Sequence, residues 1–152
     1  MILPPALMWI DPGLVTGVAL LRDREMFWSA EAGFMEAGTW IENLCSSQGQ
    51  HCWVGWESFR IHPHTPPADA HHAIEMIGVT RRYATRYCCK ILTPASPASP
   101  SALDQRLMKA LGWWKPGFKD ANSAAAHLLR FMMVSNAMPP HVQEVVLAHA
   151  QR

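Results

Sequence analysis

Three acidic residues stand where apolar segments end or where a helix begins. Asp11 follows the apolar run 6–10, Glu57 follows the run 51–56, and Asp120 opens a late helix. Oxygen donors that converge from distant parts of a chain suit hard cations such as Mg²⁺ or Mn²⁺. Two such ions can activate water and stabilise the leaving oxygen of a phosphodiester. The alternative is that Asp11 is an ordinary turn residue before Pro-Gly and Asp120 an ordinary helix-capping acid.

Small residues follow Asp120 at positions 121–126, which allows the helix to lie close to a sheet. Asp120, Ser123 and His127 are spaced i, i+3 and i+7, so they share one face of that helix. Ser123 and His127 are therefore further candidate metal ligands beside the three acids.

The patterning of apolar residues predicts a mixed α/β layer fold in a single domain covering residues 1–152. Proline-rich stretches at 61–67 and 94–100 are expected to be irregular. A terminal helix at about 140–150 is expected to cap the fold or to contact a second subunit. Strands are predicted at 6–10, 15–21, 26–30, 51–56 and 90–93, and helices at 36–44, 70–87, 103–111, 121–134 and 142–150.

Composition excludes several classes of protein. The chain has 152 residues, of which 49% are hydrophobic and 16% charged, so it is not a charge-rich disordered polymer. No apolar run approaches the ~18–20 residues that cross a bilayer, and the N-terminus lacks the features of a secretion signal. Four irregularly spaced cysteines disfavour a disulfide scaffold and a zinc finger. We therefore expect a cytoplasmic protein.

Basic residues are concentrated in the middle of the chain. Residues 1–57 have a net charge of −5 and residues 58–130 have +6, although the whole chain has only +1. The middle segment could bind phosphates, or it could carry ordinary solvated helix charge. Trp113 and Trp114 could stack on unpaired bases, or they could pack in a core or dimer contact. The candidate DNA-binding residues are Arg60, Arg81, Arg82, Arg86, Lys109, Lys115, Lys119, Trp113 and Trp114.

Five segments together resemble RuvC-type Holliday junction resolvases, particularly versions carried by actinobacterial phages. Segment 8–20, MWIDPGLVTGVAL, resembles the first-strand motif, and 53–61 resembles the second acidic motif. Segments 73–79, 107–113 and 119–129 resemble the later helices, of which the last binds metal. The resemblance implies an RNase H-like fold whose five-stranded sheet has three antiparallel and then two parallel strands. It also implies a homodimer that nicks branched DNA and leaves 5′-phosphate and 3′-hydroxyl ends.

By this resemblance, Asp11 and Glu57 match the first two metal ligands, and Asp120 falls where relatives carry Asp or His. Ser123 departs from the family, which normally has a carboxylate at that position. The resemblance implies two Mg²⁺ or Mn²⁺ ions, a Holliday junction as the partner, no nucleotide cofactor and, for a phage-encoded protein, the cytoplasm of the bacterial host. Three possibilities follow from Ser123: a working enzyme assisted by His127, a branched-DNA binding protein with weak cleavage, or an introduced inactivating change. A nuclease acting on RNA or RNA–DNA hybrids is a more distant alternative.

Overall fold

The computed structural model describes residues 2–59 and 66–150, and its centre is one five-stranded sheet. The strand order is β3-β2-β1-β4-β5. β1 is antiparallel to β2, and β2 to β3, whereas β4 is parallel to both β1 and β5. The predicted combination of three antiparallel and two parallel strands is therefore confirmed. The strands are β1 Ala6–Asp11, β2 Val15–Arg22, β3 Met26–Gly33, β4 Cys52–Trp56 and β5 Lys90–Ile91.

Five α-helices and one turn of 3₁₀ helix (Gly49–His51) accompany the sheet among the described residues. All the predicted elements are present, and their ends differ by a few residues. β5 has two residues instead of the predicted four, because the chain leaves the sheet just before the proline-rich segment 94–100. The helices are α1 Phe34–Gln48, α2 Pro67–Arg86, α3 Ala102–Ala110, α4 Lys119–Val134 and α5 Pro140–Ala150.

The central strand β1 is covered on both faces. Successive side chains of a strand point to opposite faces. Leu7 and Trp9 pack with the buried face of α4, whereas Met8 and Ile10 pack with residues of α1 and α2. The hydrophobic core is therefore in two layers, with α4 on one side of the sheet and α1 and α2 on the other.

Helix α4 lies unusually close to β2 because one strand residue has no side chain. A Cβ atom added at Gly17 would lie 1.9 Å from the carbonyl oxygen of Asp120. The alanines at 121 and 124–126 are fully buried against the sheet. Gly17 and these small residues together allow the first turn of α4 to rest on the strand, as the sequence predicted.

The proline-rich segment is attached to the helical layer by one arginine. The Arg130 guanidinium donates hydrogen bonds to the carbonyl oxygens of Ala98 (3.1 Å) and Ser99 (2.9 Å). It also pairs with the buried Asp104 carboxylate, at 2.6 Å. Asp104 in turn forms a capping box with Ser101 at the start of α3. Through the described parts of the chain, we find no helix with the length and apolarity needed to span a membrane.

Candidate metal centre

Asp11 and Glu57 end two neighbouring parallel strands. β1 and β4 are paired up to Ile10 and Trp56, and the Glu57 N–H donates a hydrogen bond to the Ile10 carbonyl, at 2.9 Å. Asp11 lies two residues after Trp9, and Glu57 two residues after Gly55, the strand partner of Trp9. The alternation of side chains therefore directs both carboxylates to the face of the sheet that carries α4.

Asp120 reaches the same place from the start of α4. Gly17, on which the Asp120 carbonyl rests, is the direct strand partner of Asp11. The absence of a side chain at Gly17 thus brings the first turn of α4 beside the end of β1. Asp120 therefore lies near Asp11 and Glu57, although the three carboxylates are distant in sequence.

The pKa values of Asp11 and Asp120 reflect the acidic groups around them. Burial, followed by the negative charge of Glu57 and then of Asp120, raises the pKa of Asp11 to about 7, although the Ser123 hydroxyl and Lys119 act in the opposite direction. Burial and the charges of Glu31 and Glu57 also raise the pKa of Asp120. Like charges held together away from water raise one another's pKa, and a bound cation would relieve that repulsion.

Ser123 and His127 complete the cluster from the same face of α4. The Ser123 hydroxyl lies 3.5 Å from Glu57 Oε2, and His127 Nε2 lies 2.9 Å from the same oxygen. The His127 side chain is buried and stacks on the Trp9 ring, with centroids 6.1 Å apart. The structure therefore brings Asp11, Glu57, Asp120, Ser123 and His127 together.

The donor chemistry of the cluster fits a hard cation, but its side chains are not arranged around one. Carboxylate and hydroxyl oxygens are ligands that Mg²⁺ and Mn²⁺ prefer. Within residues 2–59 and 66–150, no three His, Cys, Asp or Glu side chains are grouped so that they could hold a metal ion as they stand. One oxygen of Glu57 is already bonded to His127. Metal binding therefore requires rearrangement of side chains, of which Glu57 is the clearest case.

Asp104 is not part of the cluster. The sequence left open whether Asp104 completes the metal site. Its carboxylate instead pairs with Arg130, and this pair together with hydrogen bonds from Ser101 holds the pKa of Asp104 below its usual value, against the opposing effect of burial. Asp104 therefore has a structural role between α3 and α4.

Glu31 is a fourth carboxylate near the cluster, and the sequence analysis did not identify it. It is the strand partner of Gly17 on the side away from Asp11. Its Oε2 accepts hydrogen bonds from the backbone N–H groups of Asp120 (2.9 Å) and Ala121 (3.2 Å). The predicted third strand ended at residue 30. Had it been extended by one residue, the alternation of side chains from Phe27 would have placed Glu31 on the face covered by α4.

Comparison with solved structures identifies the fold. The chain resembles T. thermophilus RuvC in complex with a Holliday junction substrate, with a TM-score of 0.58 and 12% sequence identity over 86% of this chain and 95% of that chain. The fold is that of RuvC. A second Thermus thermophilus RuvC structure aligns with a TM-score of 0.49 and 12% identity, over 87% of this chain and 97% of that one. Neither protein-family models nor curated proteins give a match.

Within this RuvC fold, two of the predicted DNA-binding lysines lie at or just before the start of α4. Lys119 is exposed and immediately precedes Asp120. Lys115 is half-buried, and its ammonium group donates a hydrogen bond to the Ser29 carbonyl. The exposed Lys119 side chain is therefore available to bind DNA beside Asp120. Lys115 instead attaches the loop before α4 to β3.

The two adjacent tryptophans have different surroundings in the RuvC fold. Trp113 is 4% exposed and stacks on Phe27, with ring centroids 4.2 Å apart. The Trp113 ring is therefore not available to a nucleic-acid base. The prediction that Trp113 belongs to the DNA interface is wrong, and the alternative that it packs in the core is correct. Trp114 is only half-buried, and Lys109 Nζ lies 5.6 Å from its ring centroid.

The arginines of α2 are not brought to the carboxylates. Arg81, Arg82 and Arg86 are exposed, and the buried side of their helix packs on the core layer opposite α4. They form a separate basic surface of the RuvC fold. Arg60, the remaining predicted DNA-binding residue, lies outside the described residues.

Proposed function

We propose that the protein is a metal-dependent endonuclease that nicks Holliday junctions or other branched DNA during phage DNA processing. The observation that carries the proposal is the meeting of Asp11, Glu57 and Asp120 on one face of a RuvC fold. Carboxylates whose pKa is raised by burial and by neighbouring acids, as for Asp11 and Asp120, are typical of functional sites. The fold adds support, because T. thermophilus RuvC with this fold is described in complex with a Holliday junction substrate.

In this proposal Asp11, Glu57 and Asp120 would bind Mg²⁺ or Mn²⁺, and Glu57 would have to give up its hydrogen bond with His127 to do so. When bound, the ions would supply an activated water and stabilise the leaving oxygen of the phosphodiester. Asp11 and Asp120 would contribute ligands to them. Lys119, exposed beside Asp120, binds a neighbouring phosphate of the DNA backbone. The expected products carry 5′-phosphate and 3′-hydroxyl ends.

A homodimer is part of the proposal. A four-way junction has two-fold symmetry, and a symmetric dimer presents two equivalent sites to opposed strands. The exposed arginines of α2 (Arg81, Arg82 and Arg86) lie away from the carboxylates. We assign them to backbone contacts with a more distant part of the junction.

A second candidate function is branched-DNA binding with weak cleavage, and two observations favour it. Ser123 supplies a neutral hydroxyl where the resemblance expects a carboxylate, which lowers the negative charge available to a metal. In addition, His127 occupies one oxygen of Glu57. Both features weaken the metal site without affecting the fold or the basic surface.

A nicking assay on a synthetic four-way junction separates the two functions. The nuclease nicks the junction with Mg²⁺ or Mn²⁺, and Asp11→Asn abolishes nicking while junction binding remains. The binding protein nicks only after Ser123→Asp restores a carboxylate. Both functions are contradicted if the protein binds branched DNA no more tightly than linear duplex at matched salt.

A further inference from the structure

A cavity of about 340 Å³ lies at the start of α4. The side chains that line it include Trp114, Phe118, Lys119, Ser99 and Gln105. Lys119 immediately precedes Asp120, so the cavity and the carboxylates share the first turn of one helix. A ligand in the cavity would therefore be adjacent to a phosphate held by the carboxylates.

The residues that line the cavity combine aromatic, amide and cationic groups. Trp114 is half-buried and Phe118 is 45% exposed, so both rings have surface to offer a ligand. Gln105 and Ser99 can donate and accept hydrogen bonds, and Lys119 carries the positive charge. Among the described residues that line it, none is acidic. Aromatic surface with a few polar groups and a nearby cation suits a flat heteroaromatic base attached to a phosphate.

The wall of the cavity is held in place before any ligand binds. Asn122 Oδ1 accepts a hydrogen bond from the Lys115 N–H at 2.9 Å, and its Nδ2 donates to the Lys115 carbonyl at 2.7 Å. Lys115 is also bonded to Ser29 of β3. These bonds attach the loop that carries Trp114 to both α4 and the sheet. A preformed wall lowers the entropic cost of binding.

We propose that this cavity binds an unpaired nucleobase of the DNA strand whose phosphate lies at the carboxylates. The inference rests on the proposed function and specifies which part of the substrate the protein holds. Bases at a branch point have lost part of their stacking, so moving one into the cavity costs less than it would in a continuous duplex. The cavity thus provides a preference for branched over linear DNA that phosphate contacts alone do not provide.

The test is a double-mutant cycle between the protein and the DNA. Junction binding is measured without divalent ions, using junctions that each carry one abasic nucleotide near the branch point. We expect Trp114→Ala to weaken binding of the intact junction about tenfold, the size of one base–aromatic stack. At the abasic position that removes the base bound in the cavity, the junction affinity of wild type should fall by the same factor. The affinity of Trp114→Ala should fall no further at that position. Trp114→Phe, which keeps an aromatic ring, should restore most of the affinity.

Trp28→Ala is the matched control, because Trp28 is 40% exposed and packs edge-to-face on Trp40 on the other side of the sheet. This variant should bind the junction like wild type.

The cavity proposal is overturned if Trp114→Ala binds the junction like wild type, or if its loss of affinity is the same at every abasic position. In that case a preference for junctions over linear duplex leaves the proposed function standing. If the protein does not prefer junctions over linear duplex, the proposed function fails, and the same double-mutant cycle on a single-stranded oligonucleotide tests the cavity proposal separately. Failure to bind both the junction and the oligonucleotide overturns both proposals.

Discussion

Glu31 and Asp120 are joined across the boundary between sheet and helix. The Glu31 carboxylate accepts the backbone N–H of Asp120 at 2.9 Å and that of Ala121 at 3.2 Å. The first N–H groups of a helix have no partner within the helix, and a side-chain acceptor there stabilises both the helix and its position. A strand residue thus fixes the helical turn that carries one of the three clustered carboxylates.

We expect Glu31→Ala to lower the free energy of unfolding by about 1 kcal/mol, the usual effect of losing a helix cap. It should also reduce nicking, since Asp120 is no longer held in place. Glu31→Gln keeps an acceptor and should retain most of the stability. Urea unfolding and the junction assay measure the two effects. Glu25→Ala, at an exposed position in the turn between β2 and β3, is the control; equal behaviour of Glu31→Ala and Glu25→Ala would contradict a positioning role.

Gly17→Ala should displace the start of α4. The added Cβ would lie 1.9 Å from the Asp120 carbonyl oxygen, and backbone on both sides prevents easy relief. We expect a loss of roughly 1–3 kcal/mol or more in the free energy of unfolding, with loss of nicking. Gly33→Ala is the control, because a Cβ there meets nothing within 4 Å. If Gly17→Ala unfolds at the same urea concentration as Gly33→Ala, the close approach of α4 to β2 is wrong.

The stability of the metal-free protein should fall as the pH rises from about 4 to above 7. The folded pKa of Asp11 is about 7, above its ordinary value of 3.8. In this interval the folded protein holds a proton that the unfolded chain has released, so deprotonation at higher pH destabilises the fold. We expect Asp11→Asn to raise the free energy of unfolding at pH 8 by roughly 1–3 kcal/mol and to have little effect near pH 4.

Thermal unfolding across this pH range measures the effect, and Asp23→Asn is the control at an exposed turn position. Mg²⁺ or Mn²⁺ at pH 8 should raise the Tm of wild type, because an ion that binds only the folded state stabilises it. The same ions should raise the Tm of Asp11→Asn much less. A wild-type Tm that is independent of pH and of these ions would contradict the raised pKa and the metal site together.

Ser123→Asp should have opposite effects with and without metal. Its new carboxylate would lie near Glu57, whose Oε2 is 3.5 Å from the present hydroxyl, so repulsion should lower the Tm of the metal-free protein at pH 8. Added Mg²⁺ should raise the Tm more than in wild type and should increase nicking. Ser123→Asn has similar size without the charge and should show neither effect. An equal response of the two variants to Mg²⁺ would show that position 123 does not contact the ion.

The sequence signals that selected the candidate site residues are local. A hydrophobic run that stops at an acid marks the end of a buried strand, which located Asp11 and Glu57. Helical spacing placed Asp120, Ser123 and His127 on one face. These properties are visible within a few residues of each position, and they were enough to predict the layered fold and to select the candidate site residues.

Other features depend on contacts between distant segments and were not visible. Trp113 and Trp114 are adjacent and of the same type, and only the packing of Phe27 against Trp113 decides which ring is buried. Glu31 caps a helix that begins 88 residues later, at Lys119. The basic residues of α2 were grouped with the site by charge, but the sheet separates their layer from α4.

The contribution of α4 also affects when activity can arise during synthesis. Asp11, Glu31 and Glu57 leave the ribosome before Lys119–Val134, because synthesis proceeds from the N-terminus. A nascent polypeptide that stops before α4 has an uncovered sheet face and two of the three clustered acids. The proposed DNA-cutting activity is therefore withheld from incomplete translation products.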